Sequence, residues 1–218
     1  MPLHHRAFIF DMDGTIVDNM RYHAEAWLVM AQKLGSELTL EAFEREFAGK
    51  KNEEIIPLLS PRPLSAEEIA RIAEEKEQLY RDAYGPHMSL LPGFAALIDA
   101  LREQGVRRLL ATAAPRDNRE FLFDGLGLHG FFDAVVGAED VARGKPHPDI
   151  FLRAAALARV EPAECLVFED AINGVLAGRA AGMDVAAVLT TCSQEALERA
   201  GARWTFADYR TLPSELRP

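Results

Sequence analysis

Two aspartates directly after the first apolar segment are the residues best suited to chemistry. Residues 10–15 have the sequence Phe-Asp-Met-Asp-Gly-Thr, so a short apolar run leads straight into Asp11 and Asp13. Side chains two positions apart in an extended segment share a face, so both carboxylates would project together from a strand end. Such carboxylates repel each other unless a proton or cation intervenes, and a site made of oxygen atoms suits Mg²⁺. The competing structural explanation is a simple turn at Asp13 and Gly14.

A second acidic pair follows a later apolar segment in the same way. Val167 and Phe168 lead into Glu169 and Asp170, and small residues then fill positions 171–174. If the two apolar segments are neighbouring strands of one sheet, their acidic ends meet at the same edge. This repetition favours a metal site over a simple turn.

Two weaker motifs that could bind an anion lie between the acidic pairs. Thr112 is followed by Ala113, Ala114 and a proline, and these small residues leave backbone N–H groups free to hold an anion. Lys145 precedes a helix start defined by proline. A structural helix cap and a solvated lysine would explain each motif by itself. Together with the acidic pairs, they place charged or anion-binding groups at four successive strand ends.

The elements needed to position these residues alternate along the chain. Short apolar runs end in Gly, Pro or Asp and are followed by helical patterns, which is typical of a parallel sheet covered by helices. The predicted strands are 7–10, 109–112, 134–136, 166–168 and 185–189. We therefore expect an α/β fold with a Rossmann-like core.

The first two predicted strands are too far apart for a single crossover. About 98 residues lie between Phe10 and Leu109, and they show helical patterns with almost no strand pattern. The predicted helices are 22–34, 40–47, 52–59 and 65–84, the last with a capping box at Ser65 and Glu68. We predict a helical cap domain at 19–89, and a core at 1–18 and 90–218 that is joined to the cap by two possible hinges.

Composition limits the classes of partner and compartment. The chain has 34 acidic and 24 basic residues and a formal charge of −10, which disfavours nucleic acid and anionic lipid surfaces. It has two cysteines without a C-x-x-C motif, no leader pattern and no apolar run near the eighteen or so residues of a membrane helix. We expect a cytoplasmic protein that is a monomer or weak dimer.

The order of the motifs resembles the four signature motifs of the haloacid dehalogenase superfamily over nearly the whole chain. The matching segments are Asp11-Met12-Asp13-Gly14-Thr15, Thr112, Lys145 and Glu169-Asp170. Within the superfamily the chain is similar to the β-phosphoglucomutase-like and phosphoglycolate-phosphatase-like group. That similarity lies in Tyr22-His23 with Ala26-Trp27, in 145–151 and in 169–175.

The resemblance implies phosphoryl transfer through Asp11. This carboxylate would attack phosphorus and form an aspartyl-phosphate, while Asp13 would protonate the leaving oxygen and later deprotonate the incoming nucleophile. The superfamily's dehalogenases lack the second acid, because a halide leaving group needs no proton. The presence of Asp13 therefore favours phosphate chemistry over carbon–halogen cleavage.

The resemblance also implies a cofactor and its ligands. Mg²⁺ would be held by Asp11, Asp170 and the backbone carbonyl of Asp13, with Glu169 acting on its water shell. The implied catalytic residues are Asp11, Asp13, Thr112 and Lys145, and the implied metal residues are Asp11, Asp13, Glu169 and Asp170. The implied substrate-binding residues are His23, Gly49, Lys76 and Ala113.

The cap sequence favours a phosphatase over a mutase. The β-phosphoglucomutase pattern has a lysine just before a cap glycine and an arginine three residues after it, but Ala48 and Asn52 stand around Gly49 here. A mutase must hold the far phosphate of a bisphosphorylated sugar, so the loss of this clamp favours hydrolysis. Lys50 and Lys51 are close enough to replace the clamp after a small shift. The expected substrate is a small phosphorylated metabolite, with sugar phosphates favoured.

Three further alternatives remain open. His23 could be a packing residue beside Trp27, and Lys76 could form only a surface ion pair on its helix. The chain could also be a catalytically silent binding module on the same fold, since a fold does not determine a function. None of the implied catalytic residues is lost, which disfavours the silent module.

Overall fold

A six-stranded parallel sheet forms the centre of the molecule. The computed structural model describes residues 4–218, except for the side chain of Glu44. The strands are β1 Ala7–Phe10, β2 Arg107–Ala111, β3 Ala134–Val136, β4 Cys165–Glu169, β5 Asp184–Val188 and β6 Trp204–Phe206. Their order in the sheet is 3-2-1-4-5-6, and every neighbouring pair is parallel. The predicted α/β, Rossmann-like fold class is confirmed.

Both faces of the sheet are covered, which explains why its central strands are almost continuously apolar. One face packs an aromatic cluster in which the rings of Phe10 and Phe168 stack with their centroids 4.7 Å apart. The opposite face packs smaller side chains such as Ile9, Leu109 and Val167. Burial on both sides holds β1 and β4 together in register.

Helices alternate with the strands after residue 93. They are α5 Phe94–Glu103, α6 Arg116–Leu126, α7 Asp149–Ala158, α8 Ile172–Ala180 and α9 Gln194–Ala200. The predicted strands 7–10 and 134–136 have the bounds of β1 and β3, whereas β2, β4 and β5 begin one or two residues before the predicted starts. β6 is absent from the predicted strands because Thr205 interrupts its apolar run, whereas the equally short edge strand β3 is apolar throughout.

A helical insertion separates β1 from β2. It contains α1 Met20–Lys33, α2 Leu40–Ala42, a π-helical turn at Phe43–Phe47, α3 Asn52–Leu59 and α4 Ala66–Tyr84. The predicted helix 40–47 is therefore one short α-helical turn followed by a π-helical turn. The capping box at the start of α4 is present, because Ser65 Oγ accepts the N–H of Glu68 and Glu68 Oε2 accepts the N–H of Ser65.

The insertion has an apolar cluster of its own. Trp27, Met30, Ile55 and Ile72 pack together among its helices, apart from the clusters on the two faces of the sheet. This separate packing supports our proposed division into a cap at 19–89 and a core at 1–18 and 90–218. None of the helices within residues 4–218 is long and apolar enough to cross a bilayer.

We predict that truncation of Leu101 in α5 destabilises the core. Its side chain is fully buried in the aromatic cluster, so Leu101→Ala should lower the free energy of unfolding by about 2–5 kcal/mol. Leu152→Ala is the control, because Leu152 is 40% exposed on α7 and its truncation should cost less than about 0.5 kcal/mol. Urea unfolding would measure both changes, and equal losses would contradict the prediction.

Candidate active site

Three carboxylates meet where β1 and β4 end. The parallel register places Phe10 beside Phe168, so the residues that follow them, Asp11 and Glu169, lie side by side. Asp11, Glu169 and Asp170 are buried, and one carboxylate oxygen from each lies within 4.8 Å of the others. The two predicted acidic segments therefore form one acidic cluster.

Lys145 reaches two of these carboxylates from the segment before α7. Its Nζ donates to Asp11 Oδ1 at 2.8 Å and to Glu169 Oε1 at 2.5 Å. Burial by itself would lower the pKa of Lys145, but Asp11 and Glu169 outweigh burial and raise it. Burial raises the pKa of Asp11 to about 7; Lys145 opposes this rise and Glu169 adds to it.

Asp170 is bound by hydroxyl groups. Thr15 Oγ1 donates to its Oδ1 at 3.0 Å, and Thr191 Oγ1 donates to its Oδ2. Burial, followed by the charges of Glu169 and Asp11, raises the pKa of Asp170 well above its ordinary value. Among residues 4–218 no cationic side chain forms an ion pair with Asp170, so negative charge is left in excess at this end of the sheet.

Asp13 points away from the cluster and toward the helical insertion. Asn19 Nδ2 donates to Asp13 Oδ1 at 2.6 Å, and His23 Nε2 lies 3.5 Å from the same oxygen. Lys76 Nζ is 2.7 Å from His23 Nδ1. A lysine ammonium only donates, so His23 Nδ1 accepts and its Nε2 carries the proton that faces Asp13.

The remaining predicted residues line one cleft between the carboxyl ends of the strands and the insertion. Thr112 follows β2, and its Oγ1 accepts the N–H of Ala114 at 3.1 Å. Gly49 enters from the loop before α3 with a φ of 82°. The predicted residues that line the cleft are Asp11, Asp13, His23, Gly49, Lys76, Thr112, Ala113 and Asp170. Lys145 and Glu169 are not part of this lining. Lys145 connects them to it, because its Nζ is hydrogen-bonded both to Asp11 and to Glu169.

Comparison with known families identifies the class of protein. A model of the haloacid dehalogenase-like hydrolases matches residues 5–182. The chain belongs to the haloacid dehalogenase-like hydrolase family. The resemblance carried by the four motifs is thereby confirmed.

Relatives of this hydrolase include both phosphatases and mutases. The chain is 35% identical over 178 residues to fructose-1-phosphate phosphatase of Escherichia coli (strain K12), covering 81% of this chain and 92% of the relative. It is 33% identical over 186 residues to β-phosphoglucomutase of Bacillus subtilis (strain 168), covering 82% and 80%. The crystal structure of β-phosphoglucomutase from Clostridium difficile superposes with a TM-score of 0.85 at 29% identity, covering 97% and 94%. The similarity thus includes the helical insertion.

The donor set of this hydrolase fits a divalent cation. The cluster supplies carboxylate oxygens alone, as Mg²⁺ prefers, and Lys145 offsets only part of the charge. The side chain of Asp13 lies outside the three-residue cluster. The predicted metal ligand from Asp13 is its backbone carbonyl, and this assignment stays a prediction.

Two residues outside the predicted set, Asn19 and Thr191, orient predicted site residues. Asn19 is fully buried, and besides Asp13 it binds Tyr80 and the N–H of Gly14, at 2.7 Å and 3.0 Å. Its position just before α1 indicates a helix cap, but its side chain makes no cap hydrogen bond. Thr191 lies beyond β5 in a segment with no acidic or glycine-rich motif. Neither residue carried a sequence pattern that pointed to the site.

Two glycines leave the space that the acidic cluster occupies. A Cβ atom at Gly14, whose φ is 74°, would lie 2.1 Å from Asp170 Oδ2. A Cβ atom at Gly174 in α8 would lie 1.9 Å from the carboxyl carbon of Glu169. These approaches are too close for any other residue unless the carboxylates move.

We predict that Gly174→Ala displaces Glu169 and weakens binding of Mg²⁺ at least tenfold. Alanine favours a helix, so α8 itself should be retained and the loss should be confined to the site. Titration calorimetry with Mg²⁺ would measure the affinity. Gly85→Ala is the control, since its added Cβ makes an ordinary 3.6 Å contact with Phe121. Wild-type affinity in Gly174→Ala would contradict the prediction.

A buried ion pair stands beside His23 in the cleft wall. Lys76 Nζ donates to Glu77 Oε1 at 3.0 Å, and both side chains are almost fully buried. Burial by itself would raise the pKa of Glu77, but Lys76 and the amides of Asn52 and Asn118 lower it to about 2. The folded protein therefore favours the ionised carboxylate.

The lowered pKa of Glu77 makes stability depend on pH. Its contribution is fully present above its ordinary pKa of 4.5 and is lost as pH falls through about 2. At pH 7, Glu77→Gln should lower the free energy of unfolding by about 3 kcal/mol, and the deficit should shrink between pH 4.5 and pH 2. Urea unfolding across this range would measure it, with Glu75→Gln as the exposed control. A deficit that does not change with pH would be the contrary result.

Proposed function

We propose that this chain is a magnesium-dependent phosphatase acting on a small phosphorylated metabolite, most naturally a sugar phosphate, through an aspartyl-phosphate on Asp11. The observation that carries the proposal is the buried cluster of Asp11, Glu169 and Asp170 with Lys145 bonded to its edge. A bound cation would offset the charge of three acids buried together. The names of the relatives, which include a fructose-1-phosphate phosphatase, support phosphate ester chemistry.

Mg²⁺ would be held by Asp11, Asp170 and the backbone carbonyl of Asp13, with Glu169 contacting its water shell. When bound, it would shield the anionic nucleophile from the anionic substrate. Lys145 would add a second positive charge beside Asp11, where charge grows on the phosphoryl oxygens.

The first half of the reaction forms the aspartyl-phosphate. An oxygen of Asp11 attacks phosphorus, the bond from phosphorus to the leaving oxygen breaks, and Asp13 gives its proton to that oxygen. The Thr112 hydroxyl, the Ala113 N–H and Lys145 bind the phosphoryl oxygens. In the second half, water attacks phosphorus, Asp13 takes its proton, and phosphate leaves as Asp11 is regenerated.

Asp13 is oriented for this exchange by the helical insertion. Its carboxylate accepts a hydrogen bond from Asn19 and faces the protonated Nε2 of His23. Lys76 fixes the His23 ring through Nδ1. We therefore assign His23 and Lys76 to the cleft rather than to packing or the helix surface alone.

The contacts of the insertion favour hydrolysis over a mutase reaction. Lys51 Nζ donates to the carbonyl oxygens of Ala138 and Val141, at 2.5 Å and 2.6 Å, and Asn52 is bonded to Glu77. Neither is free to clamp the far phosphate of a bisphosphorylated sugar. The alternative, a phosphosugar mutase, is favoured by the presence of His23 and Lys76 and by the β-phosphoglucomutase relative.

We further propose that the cap at 19–89 opens to admit substrate. The cleft volume is about 60 Å³, well below the range of about 300–1,000 Å³ of small-molecule sites. Asn173 Nδ2 bonds the carbonyl of Ala48 across the cleft at 2.9 Å, which favours the closed arrangement. Closure would exclude water from the transfer to Asp11. We also propose a cytoplasmic location, because two cysteines without a C-x-x-C motif suit a reducing compartment.

We predict that Asp11→Asn lowers phosphate release by about 10³-fold or more, because an amide cannot form the covalent intermediate. The assay measures release from a panel of phosphorylated metabolites with Mg²⁺, and chelation of the metal should abolish it. Asp99→Asn, which removes an exposed carboxylate on α5, is the control and should keep wild-type activity.

The same panel separates the alternatives. β-Glucose 1-phosphate with a trace of its bisphosphate is added, and glucose 6-phosphate is measured. Asp11-dependent phosphate release without isomerisation supports the phosphatase, whereas isomerisation supports the mutase. Absence of any turnover that depends on Asp11 supports the silent binding module.

A further inference from the structure

Glu77 is a buried carboxylate in the cleft wall that the proposed phosphoryl transfer does not use. It lies on α4, is 3% exposed and lines the same cleft as Asp11 and Asp13. Burying an ionised carboxylate is costly unless it is paired and hydrogen-bonded. Its contacts therefore indicate what this wall of the cleft is built to receive.

Three donors hold the Glu77 carboxylate in place. Oε1 accepts from Lys76 Nζ at 3.0 Å and from Asn52 Nδ2 at 2.7 Å, and Oε2 accepts from Asn118 Nδ2 at 2.6 Å. The orientation of the Asn118 amide follows from its neighbours, because Arg81 donates to its Oδ1 at 3.0 Å. Each carboxylate oxygen accepts two hydrogen bonds, so Oε2 has one acceptor position left.

Lys76 has a matching donor. Its ammonium has three protons, of which one goes to His23 Nδ1 and one to Glu77 Oε1. Counted in hydrogen bonds, the Lys76–Glu77 pair therefore has one donor and one acceptor position left, and it carries no net charge. A hydroxyl group both donates and accepts, and it fits such a pair better than an anion, which only accepts.

The other charges on this wall do not form an anion site. Lys51 is bonded to two core carbonyl oxygens, and Lys50 is half-buried with its Nζ 5.9 Å from the centre of the Phe47 ring. Lys50 is a single cation without a second donor fixed beside it. A bidentate grip on a distal phosphate would need a guanidinium or several such donors.

We propose that Glu77, together with Asn52 and Lys76, selects phosphate monoesters whose far end carries hydroxyl groups and rejects those with a second phosphate or carboxylate there. The neutral Lys76–Glu77 pair offers no net positive charge to offset the dehydration of a second anion, whereas a hydroxyl group needs no such compensation. This proposal rests on the proposed phosphatase function and narrows its substrate class.

The test uses a matched pair of sugar phosphates. Fructose 1-phosphate and fructose 1,6-bisphosphate are each measured as competitive inhibitors of p-nitrophenyl phosphate hydrolysis with saturating Mg²⁺, so affinity is obtained whether or not either is turned over. The wild type should bind the monophosphate at least tenfold more tightly. Glu77→Gln keeps the size of the side chain but removes its charge. It should narrow the ratio of the two inhibition constants, bisphosphate to monophosphate, at least fivefold.

Two further variants complete the test. Glu75→Gln removes an exposed carboxylate on the same helix, which pairs with Lys33, and should leave the ratio unchanged. Asn52→Arg should narrow the ratio as Glu77→Gln does, because it brings a guanidinium to Glu77. This variant replaces Glu77→Gln in the test if Glu77→Gln does not fold.

The outcomes separate this proposal from the one on which it depends. Equal or tighter binding of the bisphosphate by the wild type, or a ratio that neither variant changes, would overturn the role of Glu77 and leave the phosphatase intact. Absence of hydrolysis that depends on Asp11 would overturn both. A ratio narrowed in both variants but not in Glu75→Gln supports the selection of hydroxylated substrates.

Discussion

Three buried carboxylates, those of Asp11, Glu169 and Asp170, lie within 4.8 Å of one another, and the surrounding structure is arranged around their repulsion. Lys145 offsets two of them through direct ion pairs. Hydroxyl groups of Thr15 and Thr191 bind the third. Carboxylates this close raise one another's pKa, and they become useful as an ionised set only when a further cation reduces that cost.

The sheet keeps this cluster in place. β1 and β4 are central strands buried on both faces, and the stacked rings of Phe10 and Phe168 stand one residue before Asp11 and Glu169. Displacement of one strand against the other would break this stack and the ladder hydrogen bonds together. The free energy gained by burying the aromatic cluster thus also holds the acids at a distance at which they repel each other. Gly14 and Gly174 complete the arrangement by leaving room for the carboxylates.

The helical insertion supplies the other half of the cleft and a different kind of polarity. The carboxyl end of the sheet offers an excess of carboxylates over the single Lys145, whereas the wall from α1 and α4 offers a neutral pair, Lys76 with Glu77, next to His23. One end therefore suits a phosphoryl group with its metal, and the other suits uncharged polar groups. Contacts across the cleft, such as that of Asn173 with the carbonyl of Ala48, bring the two halves together.

Much of this arrangement was predictable from the sequence because it depends on local patterns. Apolar runs that lead into acids marked the ends of β1 and β4, and helical periodicity predicted the insertion, with helix 52–59 in its observed bounds. β6 escaped prediction because Thr205 interrupts its three-residue apolar run. Asn19 and Thr191 escaped because their roles depend on partners that other parts of the chain bring to them.

The sequence by itself determined the fold class, the family and the candidate nucleophile, since strand alternation and the order of the motifs are properties of the chain alone. Only the tertiary structure decided what each charge faces. Lys51 bonds carbonyl oxygens of the core rather than the cleft, and Glu77 joins Lys76, Asn52 and Asn118 in one network. Ion pairing and burial depend on distances between residues far apart in the chain, and neither composition nor spacing contains those distances.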